Sequence, residues 1–268
     1  MSALMLLALA GMGVVAGLLA GLLGVGGGLV LVPVLVWVME GSGMHAHVQH
    51  MALGTSLAVM VFTSFSSVRA HHRHGAVDWA IVRRFAPPIV LGTLLGTQLA
   101  GLLPSRELRW FFIVYAYLIA AQMLLDAKPK ASRTLPGSVG LGGVGLGIGV
   151  VSSFVGIGGG SMSVPFMSWC NIPLKRAIAT SAALGFPIAL SNALGYAIGG
   201  QSVSGLPAGS FGYIWLPALA VIASCSVLTA PLGARAAHRL PVKKLKRIFA
   251  SVLYALAAYM LYKGLHGA

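Results

Sequence analysis

Apolar positions along this chain run on continuously. The stretches Leu4 to Leu23, Val48 to Val68, Phe85 to Leu103, Leu108 to Leu125, Ala177 to Gly199, Tyr213 to Ala234 and Ile248 to Tyr262 each approach the ~20 residues that carry a helix across a bilayer. Strands of a membrane barrel would alternate apolar and polar residues, and these stretches do not. The pattern predicts an all-α integral membrane protein. One further apolar piece, Leu29 to Met39, has 11 residues. As a helix it rises only about 16 Å, roughly half the hydrocarbon thickness, so it does not cross comfortably alone.

The chain also repeats itself. "GLLGVGGGLVLVP", Gly21 to Pro33, returns as "SFVGIGGGSMSVP", Ser153 to Pro165. "ALGTSLA" from Ala52 returns as "AIATSAA" from Ala177, and "LGTQLAGLLPSRELRWFF" ending at Phe112 returns as "LGARAAHRLPVKKLKRIF" ending at Phe249. The three blocks keep their order, with offsets of 132, 125 and 137 residues. The chain thus reads as a tandem duplication, residues 1–130 and 131–268, joined near Asp126 to Ser138.

Each glycine knot is expected to be a turn between two helical arms, so that the chain enters and returns, with three full spans following. Each half then crosses an odd number of times, and the second is upside down. Under that topology the connections at Arg69 to Arg84, Lys128 to Arg133, Lys175 to Arg176 and Arg235 to Arg247 share one side and hold 15 of the 18 Lys and Arg residues. A single crossing per knot would divide the basic residues almost evenly, against the positive-inside rule. The expected fold is two inverted-topology repeats, each a glycine-broken hairpin plus three transmembrane helices, with both termini outside the cytoplasm.

Composition agrees: hydrophobic residues are 57% and charged residues 8% of the chain, with a mean hydropathy of +0.90. The net charge of +14 sits at span ends, where it addresses phospholipid, so no nucleic acid partner is expected. Met1 to Leu4 carries no Lys or Arg, so the first stretch reads as part of the mature protein and not as a secretion signal. Cys170 and Cys225 lie in or beside apolar segments without metal-binding or redox spacing. The four acids, Glu40, Asp78, Glu107 and Asp126, and the eight histidines fall at connections or span ends. No relay of titratable groups crosses the interior, so neither an enzyme nor a cation path built on buried acids is expected. His45, His47, His50, His71, His72 and His74 lack carboxylate or Cys companions and read as solvated loop residues; no metal or other cofactor is expected.

A helix broken at membrane depth survives only where protein or a water-filled cavity surrounds it. Gly26, Gly27, Gly28 and their counterparts Gly158, Gly159, Gly160 can turn the chain, and the arm that follows presents free N–H groups and a positive dipole end to an anion. Close helix packing by small residues is the competing use of such glycines. The cradle reading expects a leucine at Gly27 or Gly159 to fill the anion space. Thr55 and Ser56, with Thr180 and Ser181, are candidate hydroxyl donors to an oxyanion, unless each bonds a carbonyl one turn back in its own helix. Ser191 and Asn192 lie about three turns beyond the second pair, on the same face, where Asn192 wants a partner.

The two knots, each followed by a Thr-Ser block ("GTSLA", "ATSAA"), resemble the TauE/SafE sulfite exporter family, also called the TSUP transporters, over nearly the whole chain. The resemblance implies a bacterial inner-membrane carrier that moves sulfite or a related sulfur-containing or organic anion, usually outward. The positions matching its motifs are Gly26 to Gly28, Gly158 to Gly160, Thr55, Ser56, Thr180 and Ser181. Expected partners are a small anionic substrate and membrane lipid, with a homo-oligomer neither required nor excluded. A passive anion channel and a carrier for a non-sulfur acid stay open as alternatives.

Overall fold

The computed structural model describes residues 3–23, 27–125, 133–239 and 242–266, so Gly26 and most of the joint between the halves lie outside the described residues. Its helices are α1 Ala3–Leu23, α2 Gly28–Gly41, α3 Val48–Arg73, α4 Trp79–Leu102, α5 Ser105–Leu124, α6 Ser138–Val155, α7 Gly160–Trp169, α8 Leu174–Gly199, α9 Leu216–Arg239 and α10 Val242–His266. Among the described residues the fold is helical apart from one antiparallel ribbon, β1 Ser210–Phe211 paired with β2 Ile214–Trp215. Eight of these helices, all but α2 and α7, are long and apolar enough to cross a membrane.

One of the eight, α6, is absent from the apolar stretches read above. Its sequence, SVGLGGVGLGIGVVSSFV, is rich in glycine, which weakens a helix in water. Within a bilayer no water competes for the backbone groups, and the missing side chains let α4 come close. A Cβ at Gly149 would strike the Ile89 carbonyl, and one at Gly145 would lie 3.0 Å from Pro88. The hairpin arms also differ in length. The first arms, α1 and α6, have 21 and 18 residues and are full spans; only the second arms, α2 with 14 and α7 with 10, are short.

Packing between the halves is reciprocal. α1 lies along α9, and α6 lies along α4; α3 packs on α8, and α5 on α10. The contacts match by the repeat offsets: Gly17 meets Ser226 as Gly149 meets Ile89, and Gly233 meets Leu18 as Gly96 meets Val150. Each first arm is therefore clasped by a helix of the other half. α3 and α8 are the most enclosed spans, while α9 and α10 leave most of their surface outward, where lipid would lie.

Side-chain contacts show which helix ends meet. At one end, Glu40 of α2 accepts from Arg109 of α5 at 2.6 Å and from Lys263 of α10 at 2.7 Å. There too His50 of α3 bonds the Ser105 hydroxyl at 2.8 Å and the Ala100 carbonyl at 3.1 Å, and its ring stacks on Tyr213 with centroids 4.9 Å apart. At the other end, Asp78 caps α4 and pairs with Arg176 of α8 at 3.4 Å, and Arg133 lies 4.8 Å over the Trp169 ring. His71, in the last turn of α3, reaches the Gly21 carbonyl at 3.0 Å, beside the final turns of α9. The ends of α3, α5, α7 and α9 and the starts of α4, α6, α8 and α10 thus gather at this basic end. α1 begins opposite it, where Met5 meets Ser42 at 3.5 Å, whereas α6 begins at it.

Candidate functional site

Two glycines turn the hairpins. Gly27 has φ 75 and ψ −8, and Gly159 has φ 70 and ψ −6, a left-handed conformation that costs glycine nothing and most side chains a good deal. Each second arm begins alongside its first arm. A Cβ at Gly27 would lie 2.7 Å from the carbonyl of Ala16, so α2 begins about 10 Å short of the end of α1. At the equivalent place a Cβ on Gly159 would lie 3.1 Å from Ile148, so α7 likewise begins deep within the bundle. Gly27, Gly28, Gly158, Gly159 and Gly160 are all buried.

The first intrahelical bonds are made by Val30 N–H to Gly27 and by Met162 N–H to Gly159, at 3.1 and 3.0 Å. The N–H groups of Gly28, Leu29, Gly160 and Ser161 come before them, and glycine N-caps bring no side chain to satisfy these donors. The two starts are close to one another. A Cβ on Gly28 would strike the Gly156 carbonyl, to which Ser56 also donates at 3.3 Å. A Cβ on Gly185 of α8 would lie 3.6 Å from Ser64 of α3 and 3.8 Å from the Gly158 carbonyl. Two helix starts, one from each half, therefore converge where α3 and α8 face one another.

The candidate hydroxyls divide into two kinds. Ser56 bonds the second turn, and Ser181 pairs with Ser163 of α7 at 2.8 Å, so both stand at the convergence. Thr55 instead accepts from the Trp215 backbone N–H at 2.9 Å, and Thr180 from the Asp78 N–H at 3.0 Å. Trp215 and Asp78 are equivalent by the repeat, so each threonine pins the entry to α9 or α4. Neither threonine bonds the carbonyl one turn back that the sequence offered as the alternative. Ser191 pairs with Thr93 of α4 at 2.6 Å, and Asn192 accepts from Ser153 of α6 at 2.6 Å while donating to Ile188 at 3.0 Å. These two residues bind α8 to α4 and α6.

Two expectations are corrected. A side chain at Gly27 would enter the α1 backbone, and one at Gly159 would meet the tip of the Ile188 side chain at 2.7 Å in a left-handed backbone, so a leucine at either place acts first on the turn itself, ahead of any anion space. His50 and His71 are not solvated loop residues: they are 2% and 1% exposed, and both hold carbonyl oxygens of neighbouring elements. Position 71 is equivalent to 196, and the Tyr196 hydroxyl donates to the Ser153 carbonyl at 2.8 Å as His71 reaches Gly21. Sequence reading also passed over Ser152, Ser161, Ser163 and Tyr115, which surround the start of α7. Subtracting one repeat from the other would have found the serines, because the first half has Ala20, Leu29 and Leu31 at those places.

A bundle of membrane-length helices enclosing two buried helix starts belongs to the class of multi-pass membrane transporters. Comparison with known families places it further: the family described as "Sulfite exporter TauE/SafE" matches residues 9–260, and the chain belongs to that family. It is 37% identical over 255 residues to a "Probable membrane transporter protein" of Haemophilus influenzae, covering 94% of this chain and 96% of the relative. It is 30% identical over 275 residues to "Probable membrane transporter protein YunE" of Bacillus subtilis, covering 95% of this chain and 96% of the relative. A "Probable membrane transporter protein MJ0441" of Methanocaldococcus jannaschii is 26% identical over 261 residues, covering 93% of this chain and 92% of the relative. No solved structure gives a significant match to the chain.

Proposed function

We propose that this protein is a secondary carrier that exports sulfite, or a related small sulfur-containing or organic anion, across the bacterial inner membrane by alternating access. The single observation that carries the reading is the convergence of two buried helix starts whose first N–H groups have no helical partner. Backbone donors of that kind are tolerated at membrane depth where they serve a ligand or cavity. Gly26 to Gly28 and Gly158 to Gly160 would form the two edges of the site, with Ser56 and Ser181 beside them. Thr55, Thr180, Ser191 and Asn192 would hold the surrounding helices in register. In this reading residues 1–130 and 131–268 are inverted repeats. Support comes from the reciprocal packing and from first arms that start at opposite ends. The basic end faces the cytoplasm, following the positive-inside rule, and both termini lie outside.

Proteoliposomes loaded with labelled sulfite test the reading. A carrier gives saturable flux without unitary currents at fixed potential. Currents would assign a channel instead, and absence of flux for sulfite, small sulfonates and carboxylates would remove the substrate claim.

A further inference from the structure

The two hairpins are not chemically equal. Aligned on their glycines, Ser152, Ser161 and Ser163 of the second stand where the first has Ala20, Leu29 and Leu31. Leu29 and Leu31 are fully buried within the main apolar core, so the start of α2 is walled by hydrocarbon. The start of α7 has hydroxyls set among the apolar side chains of Ile148 and Ile188. Ser152 is fully buried, and its Oγ has no hydrogen-bond partner among the described residues, a costly state in a bilayer. It faces the residue that precedes α7, since a Cβ on Gly159 would lie 3.5 Å from that oxygen. Ser161, in the first turn of α7, pairs with the Tyr115 hydroxyl at 2.6 Å. A pair of hydroxyls uses one hydrogen between them and keeps the other to donate. No Lys or Arg occurs between Arg133 and Lys175, so the hairpin itself brings no full positive charge.

We propose that the acid head of the transported anion binds at the start of α7, with Ser152 and Ser161 as its hydroxyl donors, and that this pole selects a monoanion. The inference rests on the anion-carrier reading above and adds which hairpin holds the charge and how much charge it accepts. The dipole of α7 supplies about half a positive charge, and the hydroxyls and free N–H groups add neutral donors. One negative charge is matched by such a set. A dianion would carry a second charge, without a countercharge, into a hydrocarbon interior. The first hairpin, with its leucines, forms the apolar wall opposite.

The test uses the purified full-length protein with methanesulfonate, a monoanion, and sulfate, a dianion, and reads the unfolding midpoint against anion concentration. The quantity counted is the difference between wild type and Ser152→Ala, which cancels the general stabilising effect of salt. The expected result is a methanesulfonate response weakened about ten- to a hundredfold in Ser152→Ala, as for the loss of one hydrogen bond to a charged group. Sulfate should show no Ser152-dependent response. Without anion the Ser152→Ala midpoint should equal or exceed that of wild type, because a partnerless buried hydroxyl has been removed. Ser161→Ala should weaken methanesulfonate similarly. An unchanged methanesulfonate response in Ser152→Ala, or a sulfate response that depends on Ser152, overturns the inference. If wild type carries sulfite in liposomes and Ser152→Ala does so with the same concentration dependence, this inference alone falls. If wild type carries no anion at all, the carrier reading falls with it.

Discussion

The paired threonines give a prediction whose size can be worked from the structure. Thr55 lies fully buried and its hydroxyl accepts from Trp215 N–H, on a residue only 4% exposed. Replacing Thr55 by Val keeps the shape and deletes the acceptor. The orphaned N–H should cost about 1–3 kcal/mol, the usual penalty for a buried donor left unmade. Hydrogen bonds inside membrane proteins average about 0.6 kcal/mol, so the low end of that range is the expected value. Thr180→Val deletes the equivalent acceptor for Asp78 N–H, but there the bond is only part-buried, and the Asp78 side chain is 23% exposed. Water at the basic end can replace much of what is lost, so about 1 kcal/mol or less is expected. The two sites sit at opposite ends of the bundle, and their effects should add. Equilibrium unfolding in mixed micelles, followed by tryptophan fluorescence, measures both, with Thr55→Ser as the control that restores the acceptor. Anion-induced stabilisation should survive in both valine variants. Wild-type stability in Thr55→Val together with a lost anion response would refute the argument, because the hydroxyl would then be serving the ligand.

Other outcomes follow from the same contacts. Gly149→Val should prevent stable folding, since α4 backbone occupies the space a side chain would need, whereas Gly142→Ala, with nothing within 4 Å, should be silent in detergent-solubilised yield and melting temperature. Glu40→Ala strands Arg109 and Lys263 beside a site where the carboxylate is only 10% exposed; a loss on the order of 2 kcal/mol is expected, and Arg109→Ala should lose less because Lys263 still neutralises Glu40. Single cysteines at His74 and Ser204, in a protein lacking Cys170 and Cys225, should react with a membrane-impermeant maleimide from opposite faces of intact and inverted vesicles; labelling from the same face would end the proposed orientation.

What the sequence determined by itself is the part of the architecture that depends on solvent and on copying. Long uncharged runs can satisfy their backbone in lipid only as helices, so the bundle was legible from composition and spacing. The duplicated glycine knots announced two breaks, and the distribution of Lys and Arg announced which connections share an end. The α6 span was passed over because its glycines lower helix propensity, although its 18 residues carry no charge and are as apolar as the other spans; what lay out of reach is that α4 packs against it, a contact more than forty residues away in the chain. The roles of Thr55, Thr180, His50 and His71 were likewise out of reach, since each side chain is spent on a backbone group of another element. Local sequence names a donor or acceptor but not its partner, and only tertiary packing chooses between a carbonyl in the next helix and an open site. For the same reason the inequality of the hairpins had letters in the sequence, Ser152 and Ser161 against Ala20 and Leu29, but acquired meaning only when folding left the buried Ser152 hydroxyl without a partner among the described residues beside a helix start.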